Sequence, residues 1–143
     1  MAGRVTYRDA GGGVSAVTPE RELVVHNWMG QAAAQVHEGW ISVARLSELR
    51  ESQPRPADIL GHPVVLVRLG GAVHAVDGYC PHRGMLLTDG KLSGTALRCL
   101  WHGFQYDVRS GEMVWPEPCA EQVPVYATRV RRGLVQVRVR LAE

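Results

Sequence analysis

The sequence predicts an all-β fold, because its apolar segments are short and are separated by turns that contain glycine or proline. The clearest hairpin joins residues 64–69 to residues 72–76 across the pair Gly70-Gly71, a connection that suits a two-residue turn. Residues 134–139 alternate apolar and polar side chains, as a half-buried strand does. A chain of 143 residues built in this way is expected to form one domain.

Further strands follow from the same signals. They are predicted at residues 40–43, 96–98, 105–108, 123–126 and 127–130. A short helical turn is expected at residues 46–50. Residues 52–62 are predicted to form a loop, because they contain two prolines and a glycine.

We place the β domain at residues 40–140 and expect residues 1–39 to precede it as a tail followed by a helix. Residues 1–17 are rich in glycine and other small residues, which predicts a mobile tail. A helix is predicted over residues 19–36, because Thr18 can cap its first turn and Pro19 suits its first position. We expect this helix to pack against the β domain or, alternatively, to contact a partner.

Composition excludes several classes of function. The formal net charge is only +2, so no strong electrostatic field for nucleic acid is expected. No apolar run approaches the ~18 residues of a membrane-spanning helix, and the N-terminus carries no basic stretch followed by an apolar block. We therefore expect a cytoplasmic protein without a nucleic-acid or membrane partner.

The chemistry of the chain lies in two short motifs, CPHRG at residues 80–84 and CLWHG at residues 99–103. Each motif holds one cysteine and one histidine, and the glycine after each histidine lets the backbone turn sharply and approach a bound group. Two thiols and two imidazoles are the donor set of an asymmetric [2Fe–2S] cluster, in which one iron takes the thiolates and the other takes the imidazoles. The candidate ligands are Cys80, His82, Cys99 and His102.

Zinc is the main alternative, because it binds the same donor types. Zinc sites usually place about two to four residues between the ligands of each half, whereas one residue separates Cys80 from His82. That spacing suits two irons better, because the two ligands of one loop then bind different metals. The remaining histidines show no metal spacing, and we expect them to be ordinary surface or hydrogen-bonded side chains. They are His26, His37, His62 and His74.

The two motifs resemble those of Rieske iron–sulfur proteins, and the resemblance extends over roughly residues 40 to 140. It implies stacked antiparallel sheets with the cluster-binding loops at one tip. It also implies that Cys80 and Cys99 bind the inner iron, while His82 and His102 bind the outer iron and point a free ring nitrogen at solvent. The function it implies is one-electron transfer.

The cysteines separate two branches of that family. Respiratory-chain members carry an additional cysteine in each ligand loop, and the two form a disulfide over the cluster. Here those positions hold Met85 and Trp101, so the chain resembles the oxygenase and ferredoxin branch. If Cys80 and Cys99 bind iron, Cys119 is left without a disulfide partner, which is typical of a reducing compartment. We expect Cys119 to be a small buried thiol rather than a redox group.

The second motif also carries information on the reduction potential. High-potential members are similar to one another in having a serine directly after His-Gly and a tyrosine two residues later, and both donate hydrogen bonds that stabilise the reduced cluster. Here Phe104 takes the serine position and Tyr106 keeps the tyrosine position. The resemblance therefore implies a potential at the low end of the range, roughly −150 mV. Trp101 is expected to shield the cluster edge or, equally, to pack in the core.

Two functions are compatible with these features. The first is a Rieske ferredoxin-like carrier that takes electrons from a reductase and passes them to a terminal oxygenase. The alternative is a small subunit or detached Rieske domain of a multicomponent oxygenase or reductase, and a redox-sensing module is a third hypothesis. No histidine follows His102, so we expect no mononuclear iron site with two histidines and a carboxylate in this chain.

Overall fold

The structure is a computed structural model, which describes residues 5–9, 21–26, 35–81, 86–101, 103–116 and 122–142. Strands account for most of these residues, and a short 3-10 turn lies at Leu46–Glu48. No helix within the described ranges is long and apolar enough to cross a membrane. The predicted all-β fold is therefore confirmed, as is the predicted helical turn.

The strands form two sheets. In chain order they are β1 (Val5–Asp9), β2 (Arg21–His26), β3 (Val36–His37), β4 (Trp40–Arg45), β5 (Arg55–Ile59), β6 (His62–Leu69), β7 (Ala72–Asp77), β8 (Lys91–Ser93), β9 (Ala96–Arg98), β10 (Gln105–Asp107), β11 (Met113–Trp115), β12 (Val125–Tyr126), β13 (Thr128–Arg131) and β14 (Leu134–Ala142). The larger sheet has the order β3-β4-β14-β2-β12-β7-β6-β5, with β1 paired to β2 and β13 paired to β14. The smaller sheet is antiparallel and has the order β11-β10-β9-β8.

Strand β6 joins the two layers of the molecule, because both of its faces are buried. Val64 and Leu66 belong to an apolar cluster on one face of the larger sheet, whereas Val65 and Val67 belong to a second cluster. Side chains from the smaller sheet complete that second cluster, so the smaller sheet packs against the side of β6 that carries Val65 and Val67. Burial on both faces explains why this strand reads as a continuous apolar run rather than an alternating one.

The predicted hairpin is confirmed. Strands β6 and β7 pair antiparallel up to Leu69 and Ala72, and Gly70 in the turn has a φ of +59°, which glycine adopts without strain. The strands predicted near residues 40–43, 96–98, 105–108 and 134–139 are β4, β9, β10 and β14. The two predicted after residue 122 are β12 and β13.

The helix predicted over residues 19–36 is wrong where the chain is described, because Arg21–His26 forms strand β2. Leu23 and Val25 are fully buried on one face of the sheet, and β2 pairs in parallel with the end of β14. The mobile tail is also wrong at Val5–Asp9, which forms β1 and pairs with β2. Capping residues favour a helix only weakly, and pairing with β14 outweighs that preference. Residues 27–34 lie outside the described ranges, and the division of the chain at residue 40 stays a prediction.

The loop predicted over residues 52–62 is also wrong, because Arg55–Ile59 forms β5 and pairs with β6. Pro56 is tolerated there because β5 ends the strand order of the larger sheet, so one of its sides needs no ladder hydrogen bonds. Strands β3, β8 and β11 contain only two or three residues each and were not predicted. Segments of that length are too short to show a periodic pattern.

Candidate iron–sulfur site

The two candidate thiols lie in loops that leave the two different sheets. Cys80 follows β7 of the larger sheet, and Cys99 follows β9 of the smaller sheet. Their side chains are 2% and 1% exposed, and both belong to the apolar cluster between the sheets. Neither cysteine is in a disulfide. The other two candidates, His82 and His102, lie outside the described residues.

Tyr106 connects the two loops. It lies on β10, which pairs with β9 just before Cys99, and its hydroxyl is 3.4 Å from the sulfur of Cys80. The tyrosine is fully buried, so water does not compete for its hydroxyl. A thiolate at Cys80 would accept this hydrogen bond, and such bonds stabilise negative charge on sulfur. The predicted importance of the tyrosine is therefore supported by a direct contact.

The second loop is a tight turn closed by its own backbone. The N–H of Cys99 donates to the carbonyl of Phe104, and the N–H of Gly103 donates to the carbonyl of Cys99, both at 2.8 Å. Gly103 has a φ of +74°, a conformation that favours glycine. The sharp turn expected at the glycine after the second histidine is thus confirmed at Gly103, whereas Gly84 lies outside the described residues.

The first loop is fixed at Gly78, a residue outside both ligand motifs. A Cβ atom at this position would lie 2.5 Å from the carbonyl oxygen of Pro63, so only glycine fits against that strand. The N–H of Gly78 donates to the same carbonyl at 2.9 Å, and its own carbonyl accepts from Leu87 at 2.6 Å. Gly78 therefore fixes the start of the loop to Pro63 and also binds Leu87, where the loop returns. The signal in the sequence that could have indicated this role is a glycine placed directly after a β-rich run.

Large apolar side chains are exposed around the two loops, and we call them the apolar rim. They are Tyr79, Leu86, Leu100, Trp101 and Trp115, which are between 40% and 61% exposed. Trp101 is the most exposed of them at 61%, so the alternative that it packs in the core is wrong. Clustered exposed aromatic residues mark interaction surfaces more often than single ones do.

The charged pair of Asp107 and Arg109 stabilises the turn after β10. Burial acts to raise the pKa of Asp107, but hydrogen bonds and the charge of Arg109, with a further bond from Thr95, hold that pKa below its ordinary value. The guanidinium and backbone N–H of Arg109 donate at distances of 2.8–3.1 Å. The stabilisation from a carboxylate with a lowered pKa is present above about pH 4 and is lost as the pH falls through its pKa in the folded protein.

Comparison with known proteins identifies the family. Residues 39–127 match the family model described as the Rieske [2Fe-2S] domain, so the chain belongs to the Rieske family. It is 34% identical over 132 residues to the oxygenase subunit of phthalate 4,5-dioxygenase from Pseudomonas putida, covering 83% of this chain and 30% of the relative. It is 31% identical over 88 residues to the ferredoxin component of the alkene monooxygenase system of Xanthobacter autotrophicus, covering 60% of this chain and 72% of the relative.

Solved structures agree with this assignment. The ferredoxin of carbazole 1,9a-dioxygenase from Nocardioides aromaticivorans matches with a TM-score of 0.65 and 27% identity, over 72% of this chain and all of the ferredoxin. The terminal oxygenase of the same system matches with a TM-score of 0.66 and 27% identity, over 79% of this chain and 33% of the oxygenase. The chain spans between 18% and 30% of the length of the first three curated relatives.

The cofactor of this family is a [2Fe–2S] cluster, and the predicted membership and cofactor are confirmed. The described residues fit such a group: two buried thiols without a disulfide lie in one apolar cluster, and a buried hydroxyl contacts one of them. The assignment of Cys80, His82, Cys99 and His102 as the four ligands stays a prediction.

Proposed function

We propose that this chain carries single electrons from a reductase to a terminal oxygenase, and that Cys80, His82, Cys99 and His102 hold its [2Fe–2S] cluster. The observation that supports the proposal is the match over the full length of the ferredoxin of carbazole 1,9a-dioxygenase. A further neighbour is described as a complex of reduced oxygenase and oxidised ferredoxin in carbazole 1,9a-dioxygenase. Bound here, the cluster would supply one-electron oxidation and reduction.

The residues of this chain provide the environment for that transfer. The apolar cluster around Cys80 and Cys99 excludes water from the sulfur side of the site. Tyr106 orients and stabilises the Cys80 sulfur. The apolar rim surrounds the loops that carry the predicted histidine ligands and offers an incoming redox protein a surface of Tyr79, Trp101 and Trp115. Small interfaces of this kind suit partners that bind and release quickly.

A cytoplasmic location is part of this proposal. Cys80 and Cys99, the proposed ligands, are two of the three cysteines of the chain, and neither forms a disulfide. This supports a reducing compartment.

The alternative function is a small subunit or detached Rieske domain of a multicomponent oxygenase. The similarity to the oxygenase subunit of phthalate 4,5-dioxygenase favours this alternative, because the alignment with that subunit covers 83% of this chain. The two functions differ in whether the chain carries electrons between separate partners or is itself a part of the enzyme.

Reconstitution with purified components separates these functions. We expect the chain to be reduced by a ferredoxin reductase and to be reoxidised only when a terminal oxygenase is added, as followed by its visible absorbance. Oxygen-dependent product should form only in the three-component mixture. Product from the reductase and this chain alone would contradict the carrier function. A chain that the reductase reduces but no oxygenase reoxidises would favour the subunit or the sensor.

Replacing Tyr106 with phenylalanine is expected to lower the reduction potential. The substitution keeps the buried ring and removes the hydroxyl that lies 3.4 Å from Cys80 Sγ. A lost hydrogen bond worth roughly 0.5–1.5 kcal/mol corresponds to about 20–60 mV for a one-electron couple. Voltammetry of the two holoproteins measures the difference. A potential that is unchanged or higher in Tyr106→Phe would show that the hydroxyl does not stabilise the reduced state.

A further inference from the structure

A buried carboxylate lies just before the first ligand loop. Asp77 ends β7, three residues before Cys80, and is only 8% exposed. Its Oδ1 accepts a hydrogen bond from the hydroxyl of Tyr126 at 2.7 Å and also bonds to Nε2 of His62. A buried charge is costly unless it is paired and hydrogen-bonded, and here β6 and β12 each supply a partner.

The second oxygen of Asp77 reaches into the ligand loop. Oδ2 accepts a hydrogen bond of 3.4 Å from the backbone N–H of Tyr79, the residue directly before Cys80. The ring of Tyr79 also meets the ring of His62 edge to face, with their centroids 5.7 Å apart. Tyr79 is therefore held at its backbone by Asp77 and at its side chain by His62.

We propose that Asp77 is a positioning residue for the cluster: together with Tyr126 and His62 it fixes Tyr79, and through Tyr79 the direction of the Cys80 thiol. The inference rests on the proposed role of Cys80 as a ligand. The contacts come from three strands: Asp77 on β7 and His62 on β6 contact Tyr79 directly, and Tyr126 on β12 acts through Asp77. Sheet stability alone would not require a bond from this carboxylate into the loop.

Asp77→Asn and Tyr126→Phe test the proposal in the cluster-loaded protein. The first removes the negative charge at nearly constant shape, and the second removes one donor while keeping the ring. Glu22→Gln is the matched control, because Glu22 on β2 is also a buried carboxylate, 5% exposed, and pairs with Arg138 on β14 at 3.3 Å. Three quantities are measured: the rate of iron release to a chelator, the EPR spectrum of the reduced protein and the thermal midpoint.

We expect Asp77→Asn to release iron about tenfold faster than wild type, as loss of roughly one charge-assisted hydrogen bond implies. Its EPR signal should broaden as the Cys80 ligand becomes less uniform. Tyr126→Phe should change both quantities in the same direction by a smaller factor. Glu22→Gln should lower the thermal midpoint but keep the iron-release rate and EPR spectrum of wild type.

The proposal is overturned if Asp77→Asn and Tyr126→Phe release iron at the wild-type rate with an unchanged spectrum. It is equally overturned if Glu22→Gln matches them, because the effect would then follow from stability alone. If Asp77→Asn does not fold, Tyr126→Phe decides between these outcomes. A wild-type protein that holds no cluster would contradict the proposed function itself, and this positioning role with it.

Discussion

Replacing His102 with alanine is expected to abolish the Rieske-type EPR signal of the reduced protein. The signal depends on unequal coordination, with sulfur ligands on one iron and nitrogen ligands on the other. Without its second imidazole the outer iron loses this environment, and no other histidine follows in the chain to replace the ligand. We expect complete loss of the signal, together with loss of most of the bound iron and of electron transfer.

His37→Ala is the control for this substitution. His37 is exposed on β3 and has no metal-ligand spacing to any cysteine, so its removal should leave the signal and the iron content intact. An unchanged signal in His102→Ala would refute the ligand assignment. A signal lost in both variants would mean that the loss reflects damage to the fold rather than to the site.

The second large effect is expected for Gly111→Ala, which should lower the free energy of unfolding by about 3 kcal/mol or more. A Cβ atom at Gly111 would lie 2.2 Å from the carbonyl oxygen of Val123 and 3.1 Å from the side chain of Val125. The residue also has a φ of +82°, and its carbonyl accepts the N–H of Val123 at 2.8 Å. The substitution therefore pushes the turn between β10 and β11 away from the segment at Val123 that leads into β12.

Gly94→Ala separates the two causes of that loss. Gly94 has a φ of +61° in the turn between β8 and β9, but a Cβ atom there would meet nothing within 4 Å. It should cost only about 1–2 kcal/mol, the cost of the left-handed conformation. Chemical denaturation of both holoproteins measures the difference. Equal losses in the two variants would show that the contact with Val123 does not limit stability.

The sequence alone could predict those parts of the fold that depend on neighbours along the chain. The β6–β7 hairpin follows from two β-rich runs and the Gly70-Gly71 pair, and the donor set follows from two five-residue motifs. The donor types and spacing of these motifs also predict the metal chemistry, whereas the assignment of Cys80 and Cys99 as ligands stays a prediction.

Other parts could not be predicted because their cause lies far away in sequence. Strand β2 exists because it pairs with β14, more than 100 residues later. The need for glycine at position 78 depends on Pro63, and the burial of Asp77 depends on Tyr126 and His62. None of these partners shows a local signal, whereas local capping preferences pointed to a helix instead.

Counting iron and acid-labile sulfide in the anaerobically reconstituted chain tests the central claim most directly. A Rieske [2Fe–2S] cluster bound by this chain predicts a red-brown protein with two irons and two sulfides per polypeptide. One zinc per chain without sulfide, or a colourless polypeptide that takes up no iron, would contradict it.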